Sequence, residues 1–295
     1  MVIVHILFAL LLTGPIVLGI RNILQNRKLP HPVRTAVFPT LLNSAILYAL
    51  AYNIIFFIQE LFLVLGKKSL GLTAYLYHNN HDWDGQHEMT SLMQGTGALS
   101  ILIVGLFFLG LFQMIRRSKS IWKVFVLWLA FHGLIQALNQ VMAVAFAPQT
   151  DVGQAFVKYL NLPNTYIILF SVISILLIVL ICRWMTRPFL EMASNELDTT
   201  NPKAKLRYIR IIAVGGAVLG SIFIIPFRLP PAEQLLGLFD IFSISIPWIW
   251  ATAASVQHVQ INSNRIKEKV FWLPIIILIL LLGIFQFILA PGIVF

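Results

Sequence analysis

Eight apolar runs divide the sequence, and each is long enough to cross a lipid bilayer. They cover roughly residues 2–20, 37–65, 91–115, 121–147, 163–182, 208–227, 235–257 and 270–290. An α-helix rises about 1.5 Å per residue, so about 20 residues cross a hydrocarbon core that is ~30 Å thick. Within that core, a helix satisfies all of its own backbone hydrogen bonds. The runs therefore predict an all-α polytopic membrane protein with about eight transmembrane helices.

The composition excludes a water-soluble protein. Of the 295 residues, 59% are hydrophobic and 11% are charged, and the mean hydropathy is +0.86. These values are typical of membrane proteins. The single cysteine, Cys182, can form neither an internal disulfide nor a thiolate zinc site. Because most connections are short and no internal repeat is visible, residues 1–295 are predicted to form a single transmembrane helical domain.

The lysines and arginines lie mainly on one predicted side of the membrane. Of the 21, all but four lie in or next to the connections that follow the first, third, fifth and seventh runs; the four are Lys67, Lys68, Lys158 and Arg228. The positive-inside rule places the basic side in the cytoplasm. Both termini are therefore predicted on the outer, periplasmic side of a cell inner (plasma) membrane. This topology accounts for the net charge of +10, and no nucleic-acid partner is expected.

A polar window, YLYHNNHDWDGQHE at residues 75–88, lies in the predicted outer loop 66–90. It holds three histidines and three acids, which are ligand types suited to zinc or another divalent metal. The spacing matches no metal motif, and a solvated turn that caps the third helix or a set of pH-sensing histidines would explain it too. The candidate metal ligands are His78, His81, Asp82, Asp84 and His87.

Polar residues also recur inside the second and fourth runs. In each run they are spaced four residues apart, so they share one helix face. Two such stripes are expected to face each other or water, which predicts an outward-facing polar cavity between helices two, four and seven. The stripes consist of Ser44, Tyr48 and Tyr52 in helix two, and Trp128, His132, Gln136 and Gln140 in helix four, with Gln59, Glu60, Asn139 and Asp240 as further intramembrane polar residues.

Two of these side chains are the candidate catalytic residues. Glu60 and Asp240 are predicted near the outer ends of their helices, because a charge at the bilayer centre costs ~2.5–3.5 kcal/mol. His132 has polar neighbours at helical spacing, so it could relay protons with Glu60 or be satisfied by Gln136.

The stretch QELFL at residues 59–63 resembles the HExxH signature of site-2-type intramembrane zinc proteases in one functional residue, Glu60. Gln59 and Leu63 stand where that signature has its two zinc-binding histidines. The resemblance implies a general base without the metal that activates its water, and we assign no family from it.

Three hypotheses about function follow. The first is a metal-dependent hydrolase or transferase that acts on a lipid-linked or peptide substrate, with Glu60 and His132 moving protons. The second is a non-catalytic subunit or accessory factor of a larger membrane complex. The third is a proton- or ion-coupled transporter that uses Glu60, His132 and Asp240. The expected partners are membrane lipid and a protein within a membrane complex, and the cytoplasmic connection 183–207 is interpreted as a solvated connector.

Overall fold

The computed structural model describes residues 2–29, 37–193, 197–229, 235–257, 259–261 and 269–295. Three of the predicted inner-side basic residues (Arg34, Arg265 and Lys267) and residues 194–196 of the connector lie outside this part of the chain. The main helices are α1 (Val2–Asn26), α2 (Phe38–Lys68), α3 (Thr90–Ile115), α4 (Trp122–Ala143), α5 (Asn164–Glu191), α6 (Pro202–Ile209, continued through the π-helical turn Arg210–Gly215 into Gly216–Ser221), α7 (Leu236–Ser255) and α8 (Trp272–Leu289).

Seven of the described helices, α1 to α5, α7 and α8, are long and apolar enough to cross a membrane. The chain is therefore an α-helical polytopic membrane protein, as the apolar runs predict. The remaining run, 208–227, belongs to α6, whose regular helical turns are interrupted by a π-helical turn. The chain nevertheless passes from Lys203 at one end of the bundle to Arg228 at the other.

Two helices form the centre of the bundle. In the apolar window of each helix, 72% of the residues of α2 and 83% of those of α4 are buried, compared with 22% in α1 and 33% in α5. The two polar stripes are therefore on the two most buried helices. They meet as predicted: the indole N–H of Trp128 donates to Ser44 Oγ (3.3 Å), and Gln140 Nε2 donates to Gln59 Oε1 (2.8 Å).

The basic connections meet at one end of the bundle, which we call the basic end. Lys203 Nζ donates to the carbonyl oxygen of Arg27 (3.3 Å), and Arg116 pairs with Glu191 at the end of α5 (Nη2 to Oε1, 2.6 Å). Asn43 Nδ2, near the start of α2, donates to the carbonyl oxygen of Lys269 (2.8 Å). Connections that the sequence assigns to one side of the membrane are thus in contact.

The opposite end, which we call the hairpin end, carries a small antiparallel sheet. Its strands are β1 (Thr73–Leu76), β2 (His81–Asp84) and β3 (Ile293–Val294), in the order β2-β1-β3. The side chains of Ala74 and Leu76 are buried in a cluster with residues of α2 and α8, so the sheet covers the bundle. The sequence predicts only a polar loop over 66–90; strands of four residues carry too little periodicity to be recognised.

Close helix contacts occur where both helices have small residues. A Cβ at Gly220 in α6 would lie 2.8 Å from the carbonyl oxygen of Ala45 in α2. Gly216 and Gly220 therefore mark a close contact between α6 and α2. A closer contact joins α3 and α4, where a Cβ at Gly105 would lie 2.7 Å from the backbone nitrogen of Leu134.

Candidate acid–base site at the hairpin end

One face of α2 carries the polar residues that build the site. Asn53, Glu60 and Lys67 are seven residues apart, which is about two helical turns, so they lie on the same face. All three are buried, with exposed fractions of 0%, 3% and 0%. A polar group with no access to water needs a partner from within the protein. Asn53 and Glu60 each have a partner within α2 and a further partner from another part of the chain.

Glu60 is paired with a histidine of the sheet. His81 is the first residue of β2, and its Nδ1 lies 2.8 Å from Glu60 Oε2. The other ring nitrogen, Nε2, lies 3.2 Å from Oε1 of Gln94 in α3. The side chains of His81 and Glu60 are only 8% and 5% exposed. The hairpin thus brings a predicted metal ligand onto a predicted catalytic acid, a pairing that the sequence does not indicate.

The charge of this pair depends on burial and on its neighbours. Burial lowers the pKa of His81, but the hydrogen bond and charge of Glu60, with the charge of Asp151, raise it by more, so the pKa lies above its ordinary value. Both ring nitrogens face acceptor oxygens, an arrangement that suits the doubly protonated ring. Glu60 therefore stabilises the protonated form of the His81 ring.

Hydrogen-bonded amides connect the pair to α4. Gln59 Nε2 donates to Glu60 Oε1 (3.4 Å), and Gln140 Nε2 of α4 donates to Gln59 Oε1 (2.8 Å). The network thus joins α2, α3, α4 and β2 through side chains alone. Such a network restricts the rotamers of the pair that it surrounds.

A second acid and a second base are close to the pair. Asp151 interacts electrostatically with His81, Glu60 and Lys67. Burial raises the pKa of Asp151, which lies at the start of the short helix Asp151–Gly153. The ammonium group of Lys67 is 4.6 Å from the centre of the Trp83 ring, and its Nζ has no hydrogen-bond partner among the described residues. The site therefore contains four ionisable groups that interact electrostatically: Glu60, Lys67, His81 and Asp151.

Arg228 fixes the hairpin onto α2. It is fully buried; its Nη1 donates to the carbonyl oxygen of His78 (2.9 Å) and its Nη2 to Asn53 Oδ1 (2.8 Å). The guanidinium carbon lies 3.7 Å from the centre of the Phe56 ring. Burial lowers the pKa of Arg228 to about 10, so the group stays charged at neutral pH. From the sequence alone, Arg228 is predicted only as a cation of an outer loop, because its partners, Asn53 and His78, are distant from it in the chain.

The other predicted metal ligands point away from His81. Because side chains alternate along a strand, His81 and Trp83 face inward from β2 while Asp82 and Asp84 are exposed. Asp84 accepts a hydrogen bond from the Tyr75 hydroxyl (2.7 Å). His87 is exposed, and its Nδ1 accepts a hydrogen bond from the Met89 N–H (3.1 Å), one residue before α3 begins.

No three His, Cys, Asp or Glu side chains come together as metal ligands in the part of the chain that the structure describes. His78, for example, contributes its carbonyl oxygen to Arg228, and its ring Nδ1 has no hydrogen-bond partner among the described residues. The arrangement of these side chains does not fit a zinc centre.

The remaining predicted site residues lie elsewhere. His132 is fully buried among aromatic rings, 4.6 Å from Tyr48 and 5.3 Å from Tyr52 between ring centres. Gln136 Nε2 lies 3.4 Å from the ring Nδ1 of His132. Two further predicted residues are not in the network: Asn139 is buried without a side-chain hydrogen bond to the described residues, and Asp240 is half-buried on α7 without a salt bridge to them.

An apolar cavity of about 380 Å³ is lined by sequence neighbours of two residues of the site, Gln94 and Asp151. It is formed by α3, α4 and the helical turns after Asp151, and Met93, Gly95 and Val152 are among its lining residues. Gln94, the partner of His81 Nε2, therefore lies between two residues of the cavity wall. Leu99 and Leu160, also in the wall, are 55% and 47% exposed, so the cavity opens on the outside of the bundle.

No family model, curated protein or solved structure matches this chain.

Proposed function

We propose that this membrane protein is a hydrolase that cleaves an ester bond of a lipid-linked substrate at the hairpin end of the bundle. The observation that carries the proposal is the buried His81–Glu60 pair, with 2.8 Å between Nδ1 and Oε2. Gln94, which contacts His81 Nε2, lies in the sequence between two wall residues of an apolar cavity that opens on the outside of the bundle. A carboxylate that holds one imidazole nitrogen leaves the other nitrogen to move protons.

The roles follow from the geometry. Above its pKa the His81 ring is neutral and carries its proton on Nδ1, which Glu60 holds, so Nε2 takes a proton from water while the water oxygen attacks the ester carbonyl carbon. Glu60 then stabilises the charged ring that results. The same proton then passes to the departing alcohol oxygen as the carbon–oxygen bond breaks. In this step the substrate and the attacking water displace the 3.2 Å contact with Gln94. The raised pKa makes the His81 ring a stronger base for this proton transfer.

Lys67 supplies the charge that such a reaction needs. Negative charge develops on the carbonyl oxygen in the transition state, and a preorganised cation in a site without water stabilises it. The Lys67 ammonium is buried, interacts electrostatically with His81, and has no hydrogen-bond partner among the described residues. It is therefore available to an oxyanion.

The apolar cavity favours a lipid-linked substrate over a water-soluble one. Its wall is made mainly of aliphatic and aromatic side chains, and it opens beside α3, whose apolar window is only 28% buried. An acyl chain of the substrate would occupy this cavity while the ester lies at His81. A peptide substrate is the alternative, and the experiment must distinguish it from a lipid-linked ester.

The test compares a long-chain and a short-chain ester. Purified protein in nanodiscs is given 4-methylumbelliferyl palmitate or 4-methylumbelliferyl acetate, and fluorescence release is measured. We expect hydrolysis of the palmitate ester, reduced roughly 10²–10⁴-fold by Glu60→Gln and by His81→Gln. The matched control is His87→Gln, the same change at an exposed histidine of the same window, which keeps the wild-type rate.

Three outcomes would overturn the proposal: equal rates in wild type and His81→Gln, a preference for the acetate ester, or cleavage of apolar peptides but not of esters. Proton uptake into proteoliposomes that requires Glu60, without ester cleavage, would instead favour the carrier hypothesis.

A further inference from the structure

A second cavity, of about 490 Å³, lies at the basic end of the bundle, far from the acid–base site. Its walls come from the last turns of α1 and the first turns of α6, with Trp250 of α7. Six of its lining residues are polar or charged: Asn22, Asn26, Arg27, Lys203, Arg207 and Arg210. No part of the proposed hydrolysis involves these residues.

The charge of this cavity is unbalanced. Four of the lining residues are cations, and none is an acid. Arg27, Lys203 and Arg210 take part in none of the salt bridges that the structure shows between described residues. Cations that share one cavity repel each other, and an anion with several oxygen atoms relieves that repulsion. Guanidinium groups match the geometry of a phosphate oxygen pair particularly well.

Hydrogen bonds to the main chain hold the cavity walls together. Lys203 Nζ donates to the carbonyl oxygens of Arg27 (3.3 Å) and Leu29 (3.0 Å), which attaches α6 to the end of α1. Asn22 Nδ2 donates to the carbonyl oxygen of Ala251 (2.7 Å), which attaches α1 to α7. The cations are thus brought together by the fold itself and not by a bound ligand.

The cavity also borders the lipid-facing surface. Ile23 lines it and is 53% exposed, and Leu24 and Ile20 on α1 are 58% and 53% exposed. Since α1 is a membrane-spanning helix by length and composition, these side chains face acyl chains near the level where lipid headgroups begin. A ligand in this cavity can therefore have a phosphate group among the cations and acyl chains along α1.

We propose that this cavity binds the headgroup phosphate of an anionic phospholipid. Arg27 and Arg210 contact the phosphate oxygens, Lys203 holds the wall, and the acyl chains lie against Ile20 and Leu24. Basic cavities between transmembrane helices on the cytoplasmic side are sites of this kind. The site lies at the opposite end from His81 and does not depend on the proposed ester hydrolysis.

The test is lipid binding by native mass spectrometry of the detergent-solubilised full-length protein. The probes are palmitoyl-oleoyl phosphatidylglycerol and phosphatidylcholine, which share acyl chains and differ in net charge. We expect wild type to bind the glycerol lipid at least tenfold more tightly. The double variant Arg27→Gln/Arg210→Gln should lose this preference, and Arg27→Gln alone should lose part of it. Arg27 and Arg210 are exposed, so these changes should leave the melting temperature unaltered.

The matched control is Arg117→Gln/Lys119→Gln. It removes the same charge from exposed positions at the basic end, outside the cavity. We expect it to keep the preference within twofold. An equal loss in both double variants would overturn the proposal in favour of diffuse surface attraction. Equal wild-type binding of the two lipids would overturn it too, as would displacement of the glycerol lipid by millimolar inorganic phosphate, which would identify a soluble phosphate as the ligand.

Discussion

At the scale of single residues, the stability of the site depends on charges placed where water has little access. Glu60 is 3% exposed in a helix that crosses the membrane. Its two oxygens are satisfied by His81 and Gln59, which come from β2 and from the preceding residue of α2. Removing one partner of such a buried pair leaves the other without compensation, and this loss exceeds the net gain from forming the pair.

The His81–Glu60 pair predicts a particular pH dependence of stability. Because the pKa of His81 is raised in the folded protein, the charged ring stabilises the fold fully below its unfolded value, about 6.5. This contribution is lost as the pH rises through the raised folded pKa. At pH 6, His81→Gln should therefore lower the free energy of unfolding by about 1.5–3 kcal/mol. The difference should shrink at pH 9.

Thermal unfolding of detergent-solubilised protein, followed by near-UV circular dichroism from pH 5.5 to 9, measures this difference. His87→Gln serves as the control, since His87 is exposed. A destabilisation by His81→Gln that stays constant or grows with pH would contradict the assigned charge of the pair.

At the scale of helices, the bundle is organised by close approach at small residues. The tightest crossing joins α3 and α4, where added Cβ atoms at Gly105 and Gly133 would each lie 2.7 Å from backbone atoms of the other helix. Backbone atoms cannot move aside as a flexible side chain can. Only glycine fits at both positions. The close approach of α3 and α4 brings Gln94 of α3 and Gln140 of α4 into the same hydrogen-bond network around Glu60 and His81.

Alanine substitutions on α3 test this crossing. We expect Gly105→Ala to lower the free energy of unfolding by about 1–3 kcal/mol through overpacking against α4. Gly110→Ala, five residues further along the same helix, should be neutral or stabilising by up to about 1 kcal/mol, because nothing lies within 4 Å of the added Cβ. Melting temperatures of the two variants, measured side by side, decide this. Similar changes in melting temperature at both glycines would mean that the helix propensity of alanine, and not packing against α4, determines the change in stability.

At the scale of the whole molecule, the two ends differ in chemistry. The basic end carries Arg27, Arg116, Lys203 and Lys269, while the hairpin end carries the sheet and the acid–base site. β3 pairs Ile293–Val294 with β1, so the chain returns to the hairpin end at its last strand. The ring of His5, near the start of α1, packs on Phe146, which follows α4 at the same end (5.1 Å between ring centres).

The positive-inside rule then predicts which end faces the cytoplasm. Cysteine is introduced at Asp82 in β2 or at Arg117 after α3, both of which are exposed. In intact cells, a membrane-impermeant maleimide should label position 82 and not position 117. After permeabilisation it should label both. The only native cysteine, Cys182, is buried and gives little background. Labelling of position 117 alone in intact cells would reverse the proposed orientation.

The sequence by itself determined the properties that depend on near neighbours in the chain. Span length, the distribution of Lys and Arg, and the polar stripes of helices two and four are all local or periodic, because a helix has a constant rise and repeat. They correctly indicate a helical membrane protein with α2 and α4 facing each other. They also identify Glu60 and His81 as candidate residues, although for different sites.

Only the tertiary structure decided which of these residues meet. His81 reaches Glu60 because β2 pairs with β1 and turns alternate side chains inward, and Arg228 reaches Asn53 across more than half of the chain. The relay between His132 and Glu60 remains a prediction: in the structure, His81 pairs with Glu60, and aromatic rings surround His132. Strand pairing and helix crossing bring together residues that are distant in sequence, and a short local pattern carries no information about such partners.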